Sequence, residues 1–221
     1  MSTQYEISIS MNSDTVDKLK NGGFALYGFK AVKTASQGGA PLVWFQSTSF
    51  LDQTEITWEE QYQAYISTDE IIANGRIQAS ASADIDLEQT MNVSQNGTVD
   101  VYQEGTPHAI SILNRGKNPW TCGISQQTGG STKPMCAFPL YGNNLDVIAP
   151  IERVLLMFAS NTVNTGTVIY KAYSSGVLVD LTSSQSRSVK FDINDGWDWG
   201  GQSWAKSVQA QESLVPLLIT S

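Results

Sequence analysis

An all-β, antiparallel fold follows from three features of the sequence: strict alternation through residues 77–93, turn dipeptides at short intervals along the whole chain, and almost no helical spacing. Ile77, Ala79, Ala81, Ala83, Ile85, Leu87, Met91 and Val93 fall on odd positions, and Gln78, Ser80, Ser82, Asp84, Asp86, Glu88, Thr90 and Asn92 on even ones. Successive side chains of a strand point to opposite faces, so this is a long ribbon with one dry and one wet side. Only Gln89 interrupts the apolar set. Asn96-Gly97 then supplies a turn that tolerates positive φ, and Val99 and Val101 mark the return strand.

The remaining elements follow in chain order. Ile7, Ile9 and Met11 share one face of a first strand. Ser13-Asp14 can cap a short helix on which Val16 and Leu19 share a face, and Gly22-Gly23 ends it. Residues 24–32 resume a strand, with Gly28 a candidate bulge. Residues 36–41 are a loop by composition and 42–46 a short apolar strand. Ile56, Trp58, Tyr62, Ala64 and Ile66 alternate with polar residues, with Glu60 misplaced on the apolar side. Strands at 109–113, 120–125 and 135–140 follow, the last two flanking a Gly/Thr-rich loop at 126–134. The dense apolar run at 154–158 reads as a buried central strand. Further strands are expected at 167–173, 176–181 and 188–193. A closing strand at 214–219 carries Pro216, which suggests an edge. No composition shift marks a linker, so residues 1–221 read as a single β-sandwich domain with one short N-terminal helix.

Apolar residues make up 41% of the chain, enough for a core without metals or staples, while charged residues are only 15%, so the surface leans on Ser, Thr, Asn and Gln. The net charge of −8, with 13 scattered basic residues, argues against a nucleic-acid partner and against attachment to anionic lipid by charge alone. The N-terminus has no basic region and no apolar core of signal-peptide length, and no stretch is long enough for a spanning helix. The expectation is synthesis in the cytoplasm, with action outside the cell requiring release by lysis or another route. Without a secretory signal, Cys122 and Cys136 are expected as free thiols.

Several constellations carry potential chemistry. His108 is the sole imidazole, and no Gly-x-Ser-x-Gly elbow accompanies it, so no catalytic set is expected. Asp84, Asp86 and Glu88 would share one strand face, which must be solvated or hold a cation such as calcium. The Asp192–Asp198 stretch has calcium-loop residue types, but its glycine comes one position early and no acid follows at the required distance. No metal or cofactor is expected. The least ordinary stretch is GWDWGGQSW, where three of the six tryptophans fall within nine residues among glycines. Trp197, Asp198, Trp199 and Trp204 form the candidate ligand site, since an exposed indole can stack on a sugar ring or rest in a membrane interface. The ordinary alternative is that these rings plug one end of the sandwich. The 77–93 ribbon is also long enough to cross a bilayer as a β-strand, which makes Ile77, Ala79, Ala81, Ala83, Ile85, Leu87, Met91 and Val93 the candidate membrane-inserting set.

At the level of architecture alone, a helix-poor, tryptophan-rich β-sandwich resembles fungal and bacterial lectins and small cytolysins. That resemblance implies a non-enzymatic protein that binds a glycan or lipid membrane surface and, in its stronger form, oligomerises with itself and inserts a β-hairpin as a pore-forming toxin. The alternative is a self-assembling structural protein that needs no ligand. A hydrolase using paired acids or a cysteine is the remaining class.

Overall fold

Isoleucines alternating with serines bury Ile7 and Ile9 completely in β1 (Gln4–Ser10) of the computed structural model, which describes residues 3–221. The cap of α1 (Ser13–Asn21) lies one residue upstream of the expected Ser13-Asp14: Asn12 is the N-cap, and its side chain accepts Thr15 N at 2.7 Å. Val16 and Leu19 are its buried face, and Gly22 caps its end. β2 (Ala25–Thr34) is covered on both sides, with Leu26 and Val32 in the main core and Tyr27, Phe29 and Ala31 in a second cluster. Gly28 is not a bulge. A Cβ there would lie 2.0 Å from the Phe45 ring, so the glycine permits the close approach of a neighbouring strand. β3 (Ala40–Pro41), β4 (Phe45–Ser47) and the 15-residue β5 (Gln53–Ser67) follow. β5 sends Ile56, Trp58, Tyr62, Ala64 and Ile66 inward, as the alternation predicts.

Residues 77–93 do not form one ribbon. The chain pairs as β6 (Ala81–Ile85), turns, and resumes as β7 (Thr90–Val93) in the other sheet. Gln89, the residue that breaks the alternation, closes this turn: its Oε1 accepts Asp86 N at 2.9 Å, and Glu88 takes a left-handed φ of 68°. The Asn96-Gly97 hairpin forms as expected, pairing Val93 with Val99 in β8 (Val99–Tyr102), and β7 runs parallel to β9 (Ile110–Asn114).

The expected Gly/Thr-rich loop is instead a hairpin. β10 (Trp120–Thr128) runs on to Thr128, turns through Gly129 and Gly130, both at positive φ, and returns as β11 (Ser131–Pro134). β12 (Cys136–Leu140) precedes β13 (Leu145–Ala159), whose run from Val154 to Phe158 is buried as predicted, flanked by β2 and β14 (Gly176–Asp180). Residues 167–173 make only isolated bridges, not a strand. β15 (Ser186–Asp192), β16 (Gly196–Asp198) and β17 (Ala205–Val208) follow. The expected closing strand is mostly a helical turn, α2 (Val215–Leu218), because Pro216 sits in its first turn, where no N–H is needed; only β18 (Ile219–Thr220) pairs.

The strands make two curled nine-stranded sheets. One runs β16-β15-β1-β5-β10-β12-β3, with β6 on β5 and β11 on β10; the other runs β17-β14-β13-β9-β7-β8, with β2, β4 and β18 attached through β13. The all-β class stands. The pairs β1/β15, β7/β9 and β18/β2 are parallel, so the sheets are mixed and not purely antiparallel. The main apolar cluster takes Ile7, Ile56 and Trp58 from the first sheet and Leu26, Val154 and Leu156 from the second.

A buried ion pair lies within this core. Alternation in β2 turns Lys30 to the same side as Leu26 and Val32. On β13 the register against β2 shifts between Ile151 and Val154, and the irregularity brings Glu152 to Lys30. Lys30 Nζ donates to Glu152 Oε2 at 2.5 Å and sits 4.8 Å from the centroid of Trp58 and 5.5 Å from that of Trp44. Trp58 Nε1 donates to the same carboxylate at 2.7 Å, and Tyr62 Oη lies 3.5 Å from its other oxygen. Burial pulls the Lys30 pKa down, and Glu152 opposes that pull.

Candidate functional site

The tryptophan stretch is held by β15 and β16, a hairpin in which Phe191 pairs with Trp197. Trp197 stacks on Phe158 at 5.6 Å and 15°, lies 4.9 Å from Phe191, and its indole N–H is buried without a hydrogen-bond partner among the described residues. Phe158 in turn meets Phe50 edge-on at 5.2 Å. Trp197 therefore belongs to an aromatic cap on the core. Trp199 is half-buried against the same core. Asp198 is exposed, and its Oδ1 accepts Gly200 N at 2.8 Å, which fixes the Gly200-Gly201 turn. None of these tryptophans ranks among the exposed large apolar side chains; Leu51, Ile72, Leu87, Tyr102, Tyr141 and Leu145 do.

Trp204 is differently placed. It lines a pocket of about 260 Å3 together with Arg153, Asp180, Ser203 and Lys206. The Arg187 guanidinium lies 5.0 Å from its ring centroid. Arg153 donates through Nε at 3.2 Å and a terminal nitrogen at 2.8 Å to Asp180 Oδ2, while Thr182 donates to Oδ1. Burial pushes the Asp180 carboxyl up, but hydrogen bonds from Thr182 and Arg153 outweigh it and hold the group below the ordinary aspartate value. Arg153 and Asp180 are cross-strand partners on β13 and β14, so this pair is set by register. Two cations, Arg153 and Lys206, thus line the pocket with one carboxylate and a half-buried indole, and a third, Arg187, lies over the indole while donating to Asp180 O at 3.3 Å and Ser183 Oγ at 3.1 Å. The arrangement suits a compact anion carried on a ring or hydroxylated group.

The residues read as membrane-inserting are dispersed. Met91 and Val93 are fully buried, Ile77 and Ile85 are buried, Ala81 and Ala83 are half-buried, and Ala79 and Leu87 are exposed. Asp84, Asp86 and Glu88 do not share a strand face, because β6 ends at Ile85. Asp84 accepts from Gln63, Asp86 enters the turn, and Glu88 lies 3.8 Å from His108 on the exposed surface. Asp192 is occupied with structure: its carboxylate accepts from Asn12, Thr15 and the Asn194 backbone, which ties this loop to the start of α1. Among the described residues no group of three or more His, Cys, Asp or Glu is placed to hold a metal. No helix among them is long and apolar enough to cross a membrane.

Cys122 and Cys136 are free and buried. Burial pushes the Cys122 thiol well up, with the neighbouring Asp146 carboxylate adding to it, and pushes Cys136 up to about 12. Neither is therefore a thiolate near neutral pH, and His108 lies on the surface apart from these buried groups. The expected result is that a thiol reagent at pH 8 labels neither cysteine in the folded protein and both in urea. Rapid labelling of folded protein would show that the thiols are accessible.

Sequence reasoning singled out Trp204 but not Arg153, Asp180, Arg187 and Lys206, which lie on four strands: β13, β14 and β17 are paired in the second sheet, and β15 belongs to the first. No family model, curated protein or solved structure matches this chain.

Proposed function

We propose that the protein is a non-enzymatic binding protein that recognises an acidic glycan of a cell surface through the Trp204 pocket. The single observation that carries this reading is the excess of three cations over one carboxylate around a half-buried indole in a protein whose net charge is −8. An overall charge of that sign repels a densely anionic bilayer. A single carboxylate or sulfate on an otherwise neutral glycan meets the local cations without that repulsion. The indole offers an apolar face to a sugar ring, and Ser203 offers a partner for a hydroxyl.

The test is co-sedimentation and dye release with phosphatidylcholine vesicles of three kinds: plain, carrying a sialylated glycolipid, or carrying phosphatidylserine. Sedimentation with the glycolipid vesicles alone is expected, with Trp204→Ala and Arg187→Gln each weakening it about tenfold or more, equivalent to about 1.4 kcal/mol. Binding to phosphatidylserine vesicles instead would replace the glycan by a lipid headgroup. Binding to none of them would overturn the proposal. Dye release with large oligomers would add insertion by residues 77–101, and the first region to examine would be β6 to β8.

A further inference from the structure

Away from the Trp204 pocket, the outer side of the first sheet carries a groove floored by β6, β5, β10 and β11. Alternation settles what lines it: Ile124 and Gln126 of β10 are buried inward, so Ser125 and Gln127 point outward. Across the four strands, Asp84 pairs with Gln63, Gln63 with Ser125 and Ser125 with Pro134; one row along, Gln127 pairs with Thr132. Two adjoining clefts of about 610 and 310 Å3 lie along this face, with Gln63 and Thr132 in the walls of both. Ser125 is only 7% exposed although it faces outward, which shows how deep the floor lies.

We propose that this groove binds an extended, uncharged, polyhydroxylated chain, an oligosaccharide of several units. Its floor is amide and hydroxyl, with Asp86, Arg76 and Lys133 also in the walls: Gln61, Gln63, Ser125, Gln127 and Thr132 each offer both a donor and an acceptor, as sugar hydroxyls do. The carboxylate in the row, Asp84, already accepts Gln63 Nε2 at 2.8 Å, so it orients the amide. The binding groups stand on paired strands, not on loops, and neighbouring strands are about 4.8 Å apart. The row from Asp84 to Pro134 therefore spans about 14 Å, room for several sugar units laid across the strands. A proline-rich peptide would need exposed aromatic rings, and both tyrosines in the walls, Tyr62 and Tyr65, are buried.

The experiment is affinity electrophoresis of the full chain in gels containing a soluble β-1,3-glucan, a β-1,4-glucan or an α-mannan, followed by calorimetry with the hexasaccharide and disaccharide of whichever retards it. Retardation by at least one polymer is expected, with the hexasaccharide bound at least tenfold tighter than the disaccharide. Gln63→Ala and Gln127→Ala should each weaken binding about three- to tenfold, the loss of one or two neutral hydrogen bonds. The exposed Gln61→Ala serves if either fails to fold. Trp204→Ala should bind these neutral sugars as the parent protein does, so failure of the acidic-glycan site and failure of this one read out separately. No retardation by any of the three polymers, affinity independent of chain length, or binding untouched by the glutamine substitutions would each overturn the proposal.

Discussion

Replacing Glu152 with alanine is expected to cost about 3–5 kcal/mol, a large part of the stability of a domain this size. The substitution leaves Lys30 charged and unpaired in a site from which water is excluded, and removes the acceptor that holds Trp58 Nε1 and Tyr62 Oη. The two flanking indoles offset only part of that loss. Exchanging both partners, as Lys30→Met with Glu152→Gln, removes the buried charges together and should recover most of the loss. The readout is the urea midpoint at constant slope. pH supplies a second signature. Burial sets the folded-state pKa of Lys30 below its ordinary value of 10.5, so between those two values the unfolded chain binds more protons and stability rises with pH. Glu152→Gln removes the opposing carboxylate and deepens that depression. Its stability deficit should therefore narrow as pH rises from neutrality towards the ordinary lysine value of 10.5. A deficit that is small, or that does not change with pH, would mean Lys30 finds water or another partner.

The sequence made period-2 strands and glycine turns legible wherever one face meets a core, as in β1, β5, β13 and the Asn96-Gly97 hairpin. It misled where alternation was read through a change of sheet. Nothing in the pattern at residues 77–93 distinguishes one ribbon from two strands, because the odd positions stay apolar through the turn; the one signal was Gln89, which closes it. Pro216 was equally ambiguous between an edge strand and a first helical turn, and packing of Leu217 and Leu218 decides for the helix. The Lys30–Glu152 pair was half visible: a lysine on the core-facing positions of β2 is anomalous, but its partner depends on a bulge 122 residues away. The Trp204 pocket was less visible still. Its indole stands out in composition, whereas Arg153 and Asp180 look like ordinary surface charges until strand pairing sets them side by side.

Trp197→Ala is expected to cost about 2–3 kcal/mol of stability and to leave glycan binding unchanged once the protein is folded. The figure sits below the roughly 3–5 kcal/mol of a fully buried aromatic because Trp197 is half-buried. What is lost is a parallel stack on Phe158 and a tilted contact with Phe191, which together close the end of the core around Phe50. Trp197→Phe should restore most of the stability, since it keeps a ring in the stack and removes an indole N–H that has no partner among the described residues. Trp204→Ala should behave in the opposite way, losing binding with a smaller change in the urea midpoint. Its ring packs partly against the core but also faces the pocket and Arg187. Seven residues apart in one unusual stretch, the two tryptophans then divide between fold and recognition. If Trp197→Ala proved as stable as the parent and abolished binding, the aromatic cap and the recognition site would have to be exchanged.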